Sequence, residues 1–275
     1  MKTLYVSDLD GTLLDSSGHL SKFTTDTLNQ LIAEGVNFTV ATARSISSAG
    51  GLLDDLNFKI PGVMMNGVFL TNIPKKQEVY VNKFSNEVAQ KVIDVFMKHN
   101  RPPLVFSFNG EYIETEFTKL KNDYERQFVA KRQKLYRRFE QVENYALNGN
   151  VVYINGIDEK ETMQAIADEL KTVEGIKFSH YLDTYSKDKY FVEVYVESAG
   201  KWNTIKRLKE MHGFDRIVAF GDNANDVEML KNADLAVVVG NALQPALEVA
   251  DVVIDTNDND GVAKYLLSLK AEGKL

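Results

Sequence analysis

Short unbroken apolar runs, each ending in a small polar residue, recur at both ends of the chain. Residues 4–6 lead to Asp8, residues 38–41 to Thr42 and residues 63–65 to Asn66. In the last third, residues 217–220 lead to Gly221 and Asp222, residues 235–239 to Asn241, and residues 252–254 to Asp255. Runs this short, with no polar alternation, are strands covered on both faces, which implies a parallel sheet. Helical spacing lies between them. Over residues 21–34 it puts Leu28, Leu31 and Ile32 on one face, with Ser21 as N-cap and Gly35 as stop. The last helix spans about 261–269. The pattern predicts an α/β core: a Rossmann-like, doubly wound, mostly parallel sheet. Such sheets bind ligands beyond the carboxyl ends of strands, where strand order reverses.

The middle is different. From 82 to 194 the chain is more aromatic. Strands are predicted at 106–109, 111–114, 151–155 and 191–195, and helices at 87–99, 123–139 and 159–172. The simplest organisation is one core from residues 1–81 and 195–275, with an α+β domain, 82–194, inserted as a cap. Within the insert, residues 119–138 carry eight Lys/Arg against Asp123 and Glu125. The cluster would steer anions, or else form a solvated helix face whose Tyr124, Phe128, Leu135 and Phe139 pack inward.

Composition narrows the chemistry. The net charge is −7, a poor match for nucleic acid or an anionic membrane. There is no Cys, which removes disulfides, thiol nucleophiles and Cys-ligated metals. No stretch approaches the ~18–20 apolar residues of a membrane helix. The N-terminus reaches Asp8 too early for a signal peptide, so the expected location is the cytoplasm.

Four polar constellations remain. Asp8-Leu9-Asp10-Gly11-Thr12 follows the first strand. Asp-Gly is a common turn pair. Two carboxylates this close repel unless a cation lies between them or one is protonated, and a carboxylate can also be a nucleophile. Thr42, followed by Ala43 and Arg44, closes the second strand, where a hydroxyl and free amides at a helix start would cradle phosphate. Lys201 opens a helical pattern and opposes its dipole, a mismatch that a bound anion would relieve. Gly221-Asp222-Asn223-Ala224-Asn225-Asp226 places more polar side chains at a helix start than capping requires.

Together these motifs resemble the haloacid dehalogenase superfamily of phosphohydrolases, and the Gly-Asp-x-x-Asn-Asp form is similar to its Cof-type, subfamily IIB, sugar-phosphate phosphatase branch. Asn66-Gly67 and the Asp-Gly-Val-Ala stretch at 260–263 match further elements of that branch. The family's usual Gly after the Lys is replaced by Trp202. The resemblance implies a nucleophile at Asp8 and a general acid/base at Asp10. It implies Mg²⁺ held by Asp8, the Asp10 carbonyl, Asp222 and Asp226. Phosphate or substrate would meet Leu9 through its amide, Thr42, Ala43, Arg44, Asn66, Gly67, Lys201 and Asn225. The expected substrate is a small phosphorylated metabolite, most of all a sugar phosphate, and the expected protein a monomer or small homo-oligomer. A phosphomutase would use the same nucleophile. A silent sugar-phosphate-binding regulator would not need both Asp8 and Asp10.

Overall fold

The N-terminal segment runs β1 (Thr3–Ser7), α1 (Lys22–Ala33), β2 (Asn37–Val40), α2 (Ile46–Leu53), β3 (Gly62–Met64), β4 (Phe69–Asn72) and β5 (Gln77–Val81). The middle runs α3 (Asn86–Lys98), β6 (Leu104–Phe108), β7 (Ile113–Phe117), α4 (Asp123–Leu135), β8 (Phe139–Gln141), β9 (Val151–Glu159), α5 (Lys160–Leu170), β10 (Ile176–Leu182) and β11 (Lys189–Val196). The last segment runs α6 (Lys201–His212), β12 (Arg216–Gly221), α7 (Val227–Asn232), β13 (Leu235–Val238), α8 (Gln244–Leu247), β14 (Val252–Val253) and α9 (Gly261–Ala271). The structure, a computed structural model, describes residues 1–135, 138–183 and 186–275. Its chain divides into two units, Met1–Tyr80 with Gly200–Leu275, and Val81–Ala199. The sequence-based division at 194/195 falls inside β11, whose pairing with β10 continues to Val196.

In the first unit five parallel strands lie in the order β14-β13-β12-β1-β2. Leu4, Val6, Ile217 and Ala219 pack with Ile205 and Leu208 of α6 and with Met229 and Leu230 of α7. Phe220, whose side chain alternates to the other face, meets Tyr265 of α9. The sheet is therefore doubly wound. The chain leaves β1 toward β2 and resumes on the far side at β12, so strand order reverses between β1 and β12. Asp8 and Asp222 are at the carboxyl ends of those two strands. Ser21 caps α1 as predicted, its hydroxyl accepting from the Thr24 amide.

The third apolar run departs from expectation. β3 does not extend the parallel sheet; it touches it through one parallel bridge, Ala41 to Val63. It then joins an antiparallel three-stranded sheet with β4 and β5, because the chain reverses at Met65–Gly67.

The second unit is a six-stranded sheet in the order β10-β11-β9-β6-β7-β8, antiparallel except for β7 with β8. Helices α3 and α5 cover one face with Ala89, Val92, Phe96, Met163, Ile166 and Leu170. On the other, Val129 of α4 packs with Leu104 and Phe117. The strand expected at 111–114 is displaced to β7, because Asn109 Oδ1 accepts from the amides of Glu111 and Tyr112 and holds a turn there. The helix expected to reach Phe139 is described only to Leu135, and Phe139 opens β8. Tyr136, Arg137, the Leu135 side chain and the Lys134 side chain lie outside the described residues. In the basic stretch Arg126 pairs with Asp123 and Arg138 with Glu114, while Phe128 and Phe139 pack against the Leu104 cluster.

Candidate active site

The site grows from the end of β1. Asp8 is still in strand register, its amide donating to the Phe220 carbonyl at 3.0 Å. The backbone then makes one wide turn over residues 9–13, closed by the Leu14 amide on the Leu9 carbonyl at 2.9 Å. Gly11 takes φ 79° within it. A Cβ at Gly11 would lie 2.5 Å from Asp222 Oδ2, so only glycine brings this turn so close to that carboxylate. The Thr12 hydroxyl donates to Asp222 Oδ1 at 2.8 Å. The turn is pinned from behind: Asn241 Nδ2 donates to the Gly11 carbonyl and Asn257 Nδ2 to the Leu14 carbonyl. The Asn257 amide in turn donates to Asn241 Oδ1.

Lys201, at the first position of α6, is only 3 % exposed. Its ammonium donates to Asp8 Oδ1 and to Asp226 Oδ1, both at 2.6 Å. Asp226 Oδ2 accepts from the amides of Asp222 and Asn223, both at 3.1 Å. Asp226 is thus the anchor of the loop after β12, and Gly221 is pressed against it: a Cβ there would lie 2.7 Å from the Asp226 Cβ.

Burial, with the Asp226 carboxylate beside it, pushes the Asp8 carboxyl up to about 8 even against the pull of Lys201. Burial likewise raises Asp222, to about 6. For Lys201 burial works downward, but the Asp226 and Asp8 carboxylates outweigh it and hold the ammonium above the usual lysine value. One oxygen from each of Asp8, Asp222 and Asp226 lies within 4.8 Å of the others. Three carboxylates face one ammonium, so the fully ionised cluster is short of positive charge. An all-oxygen donor set with that deficit fits a hard divalent cation. Asp8 and Asp222 are the better-placed ligands, since both Asp226 oxygens already accept from protein donors.

The other sequence-selected residues divide. Thr42 is fully buried, but its hydroxyl accepts from the Arg44 amide at 3.1 Å. The helix expected to begin beside it starts only at Ile46, after an N-cap at Ser45, so its free amides are not at Thr42. Ala43 is exposed in that loop. The Leu9 side chain is core, and its amide hydrogen-bonds the Asp8 carboxyl. Asp10 does not join the acidic cluster. Its carboxylate is gripped by Arg44, Nε to Oδ2 at 2.8 Å and Nη2 to Oδ1 at 2.5 Å. Asn66 and Gly67 are buried in the turn after β3, and Asn66 Oδ1 has no hydrogen-bond partner. Asn225 is exposed on the short turn Ala224–Asp226. Trp202 is partly buried and packs against the core that contains Leu4 and Ile205.

Sequence reasoning gave no role to Thr12, Asn241, Asn257 or Thr204. Asn241 stood at a strand exit and Thr12 closed the Asp8–Thr12 motif, the two signals available. The others act through partners more than a hundred residues away along the chain.

Comparison with known proteins matches residues 5–266 to haloacid dehalogenase-like hydrolases. A relative from Bacillus subtilis, the 5-amino-6-(5-phospho-D-ribitylamino)uracil phosphatase YitU, is 25 % identical, with 96 % of each chain covered. The solved structure of the phosphatase BT1666 from Bacteroides thetaiotaomicron superposes with a TM-score of 0.78 at 20 % identity, covering 100 % of this chain and 96 % of that one. The haloacid dehalogenase subclass IIB sugar phosphatase BT4131 gives a TM-score of 0.74 at 21 % identity, with 100 % of both chains covered. At these identities the structural likeness speaks to the fold.

Proposed function

The chain belongs to the haloacid dehalogenase-like hydrolases, and from that premise we propose that it is a Mg²⁺-dependent phosphatase of small phosphomonoesters, sugar phosphates foremost, working through an aspartyl-phosphate on Asp8. The observation that carries this reading is the buried bridge of Lys201 between Asp8 and Asp226, with Asp222 alongside, at the point where strand order reverses. Phosphoryl transfer asks a protein for positioning and for positive charge around the transferring oxygens.

An Asp8 oxygen attacks phosphorus in line, and the bond to the ester oxygen breaks. Asp10 gives that oxygen its proton, and the alcohol leaves. To do so Asp10 must release Arg44, whose guanidinium holds both of its carboxylate oxygens. Water then attacks the phosphorus of the acyl phosphate. Asp10 takes a proton from it, the bond to Asp8 breaks, and inorganic phosphate departs. Lys201 orients Asp8 and meets the phosphoryl oxygens. Thr42, buried just beyond β2, would hold the transferring phosphoryl group through its hydroxyl. Asp8 and Asp222 would hold the cation, which would offset the charge that the lysine leaves uncompensated. Choice among substrates rests, in this reading, with the inserted unit.

The test is phosphate release from a panel of phosphorylated metabolites, with Mg²⁺ and with EDTA. Release that requires the metal, and that falls about 10²–10⁴-fold in Asp10→Asn, is the expected result. Isomerised substrate without free phosphate would make the protein a mutase. A folded, Mg²⁺-loaded protein that binds sugar phosphates and releases nothing would make it a binding protein.

A further inference from the structure

Between β3 and β4 the chain does something that a plain reversal does not need. Met65, Asn66 and Gly67 follow one another with φ of 48°, 50° and 89°. Left-handed backbone is uncommon for a residue such as Met, and consecutive left-handed residues persist only where their surroundings over-determine them. Here the surroundings are two motifs of the candidate site. On one side the Met65 amide donates to the Arg44 carbonyl and the Asn66 amide to the Thr42 carbonyl, both at 2.9 Å. On the other the Asn66 carbonyl accepts from the Gly200 amide at 2.8 Å, and the Gly67 carbonyl accepts from the Thr204 hydroxyl at 2.7 Å. Gly200 is the N-cap of α6, and Lys201 follows it.

We infer that the turn Met65–Gly67 is a positioning element that fixes the Thr42 loop to the start of α6 and so sets the Lys201 ammonium between Asp8 and Asp226. The contact is backbone on backbone. A Cβ at Gly67 would lie 2.2 Å from the Gly200 carbonyl oxygen and 2.7 Å from the Gly200 nitrogen. No side-chain adjustment relieves that, so any larger residue must push the start of α6 away. Thr204, one helical turn beyond Lys201, is buried and holds the helix to the turn from inside. Through this turn the loop that carries Thr42 and the helix that carries Lys201 move as one piece. None of the three turn residues has to touch substrate for that.

The inference rests on the phosphatase reading only for its kinetic half, so the test has two readouts. In protein labelled with ¹⁵N-lysine, the Lys201 ε-ammonium signal is identified by its loss in Lys201→Met. Burial and two carboxylate partners slow its proton exchange enough for it to be seen. In Gly67→Ala and in Thr204→Val the signal is expected to shift or vanish while the circular dichroism stays native. kcat is expected to fall tenfold or more, with KM changing less than threefold. Thr204→Ser, which keeps the hydroxyl, restores both. Thr204→Val decides the matter if Gly67→Ala does not fold. An unmoved Lys201 signal in a folded variant overturns the inference, whatever the kinetics. A moved signal in a protein whose native form releases phosphate from nothing supports the inference and removes the phosphatase reading instead.

Discussion

Asp8 combines two demands that conflict. As the proposed nucleophile it would have to be ionised, yet burial beside Asp226 raises its carboxyl to about 8. A carboxyl raised on folding reverses the usual acidic case: the folded state binds the extra proton. Its contribution to stability is therefore complete below the unfolded value near 4 and is lost as pH rises through about 8. Asp8→Asn has no such titration. In EDTA the variant is expected to melt above the native protein at pH 8.5, with the gap closing at pH 5, while activity with Mg²⁺ falls at least about 10³-fold. A variant that melts lower at pH 8.5 would show that the Lys201 bridge outweighs the crowding of carboxylates. At this scale Asp8, Lys201, Asp222 and Asp226 were singled out in the sequence as members of motifs at strand exits and helix starts, and the structure brings the four side chains together. The grip of Arg44 on Asp10 was not legible there. It joins residues whose spacing along the chain carries no period, and it places Asp10 outside the acidic cluster.

The β4–β5 hairpin carries another raised carboxyl, far simpler than Asp8. Burial lifts Glu78 from 4.5 to about 7, although the Thr71 hydroxyl donates to it. The sign is again that of a carboxyl raised on folding, so the hairpin loses stability as pH climbs from about 4.5 through about 7. The full loss is at most about 3 kcal/mol. Glu78→Gln keeps an acceptor for Thr71 and cannot ionise. Urea unfolding at pH 5 and pH 8.5 is expected to show the native protein losing about 1–3 kcal/mol more than the variant between the two. Equal losses would mean that Glu78 ionises freely where it stands. Neither β4 nor β5 was read from the sequence. β5 is half exposed and lacks the unbroken apolar run that marked β1, β2 and β12. β3 was read as a strand, yet its place was misjudged, since a run of apolar residues reports burial and not which neighbour provides it. For the same reason the helical period of α4 continued on paper into Phe139, where the structure begins a strand whose partner, β7, is distant in sequence.

For the molecule as a whole, a change in pattern from unbroken runs to aromatic alternation marked off the middle of the chain, and by its contacts the chain divides into Met1–Tyr80 with Gly200–Leu275, and Val81–Ala199. What the sequence could not show was how self-sufficient the insert is. Val81–Ala199 owns a sheet of six strands, with a core between sheet and helices that includes Phe96, Ile154, Met163 and Val192. It also buries a charge. Arg101, 1 % exposed, pairs with buried Glu125 at 3.0 Å and with Asp158 at 3.0 Å, and donates to the Ile157 carbonyl. Every partner of that arginine named here comes from within the same unit. A contiguous segment with its own core, and with its buried arginine ion-paired inside the same segment, is what an autonomous domain requires. Expressed alone, Val81–Ala199 is expected to melt cooperatively, with structured near-ultraviolet circular dichroism and no dye binding to exposed apolar surface. Arg101→Met in the same fragment leaves Glu125 buried without its cation and should destabilise it by about 3–5 kcal/mol. A fragment that keeps its helices but loses fixed packing would show instead that the insert depends on the rest of the chain, and that its buried arginine stabilises only the whole.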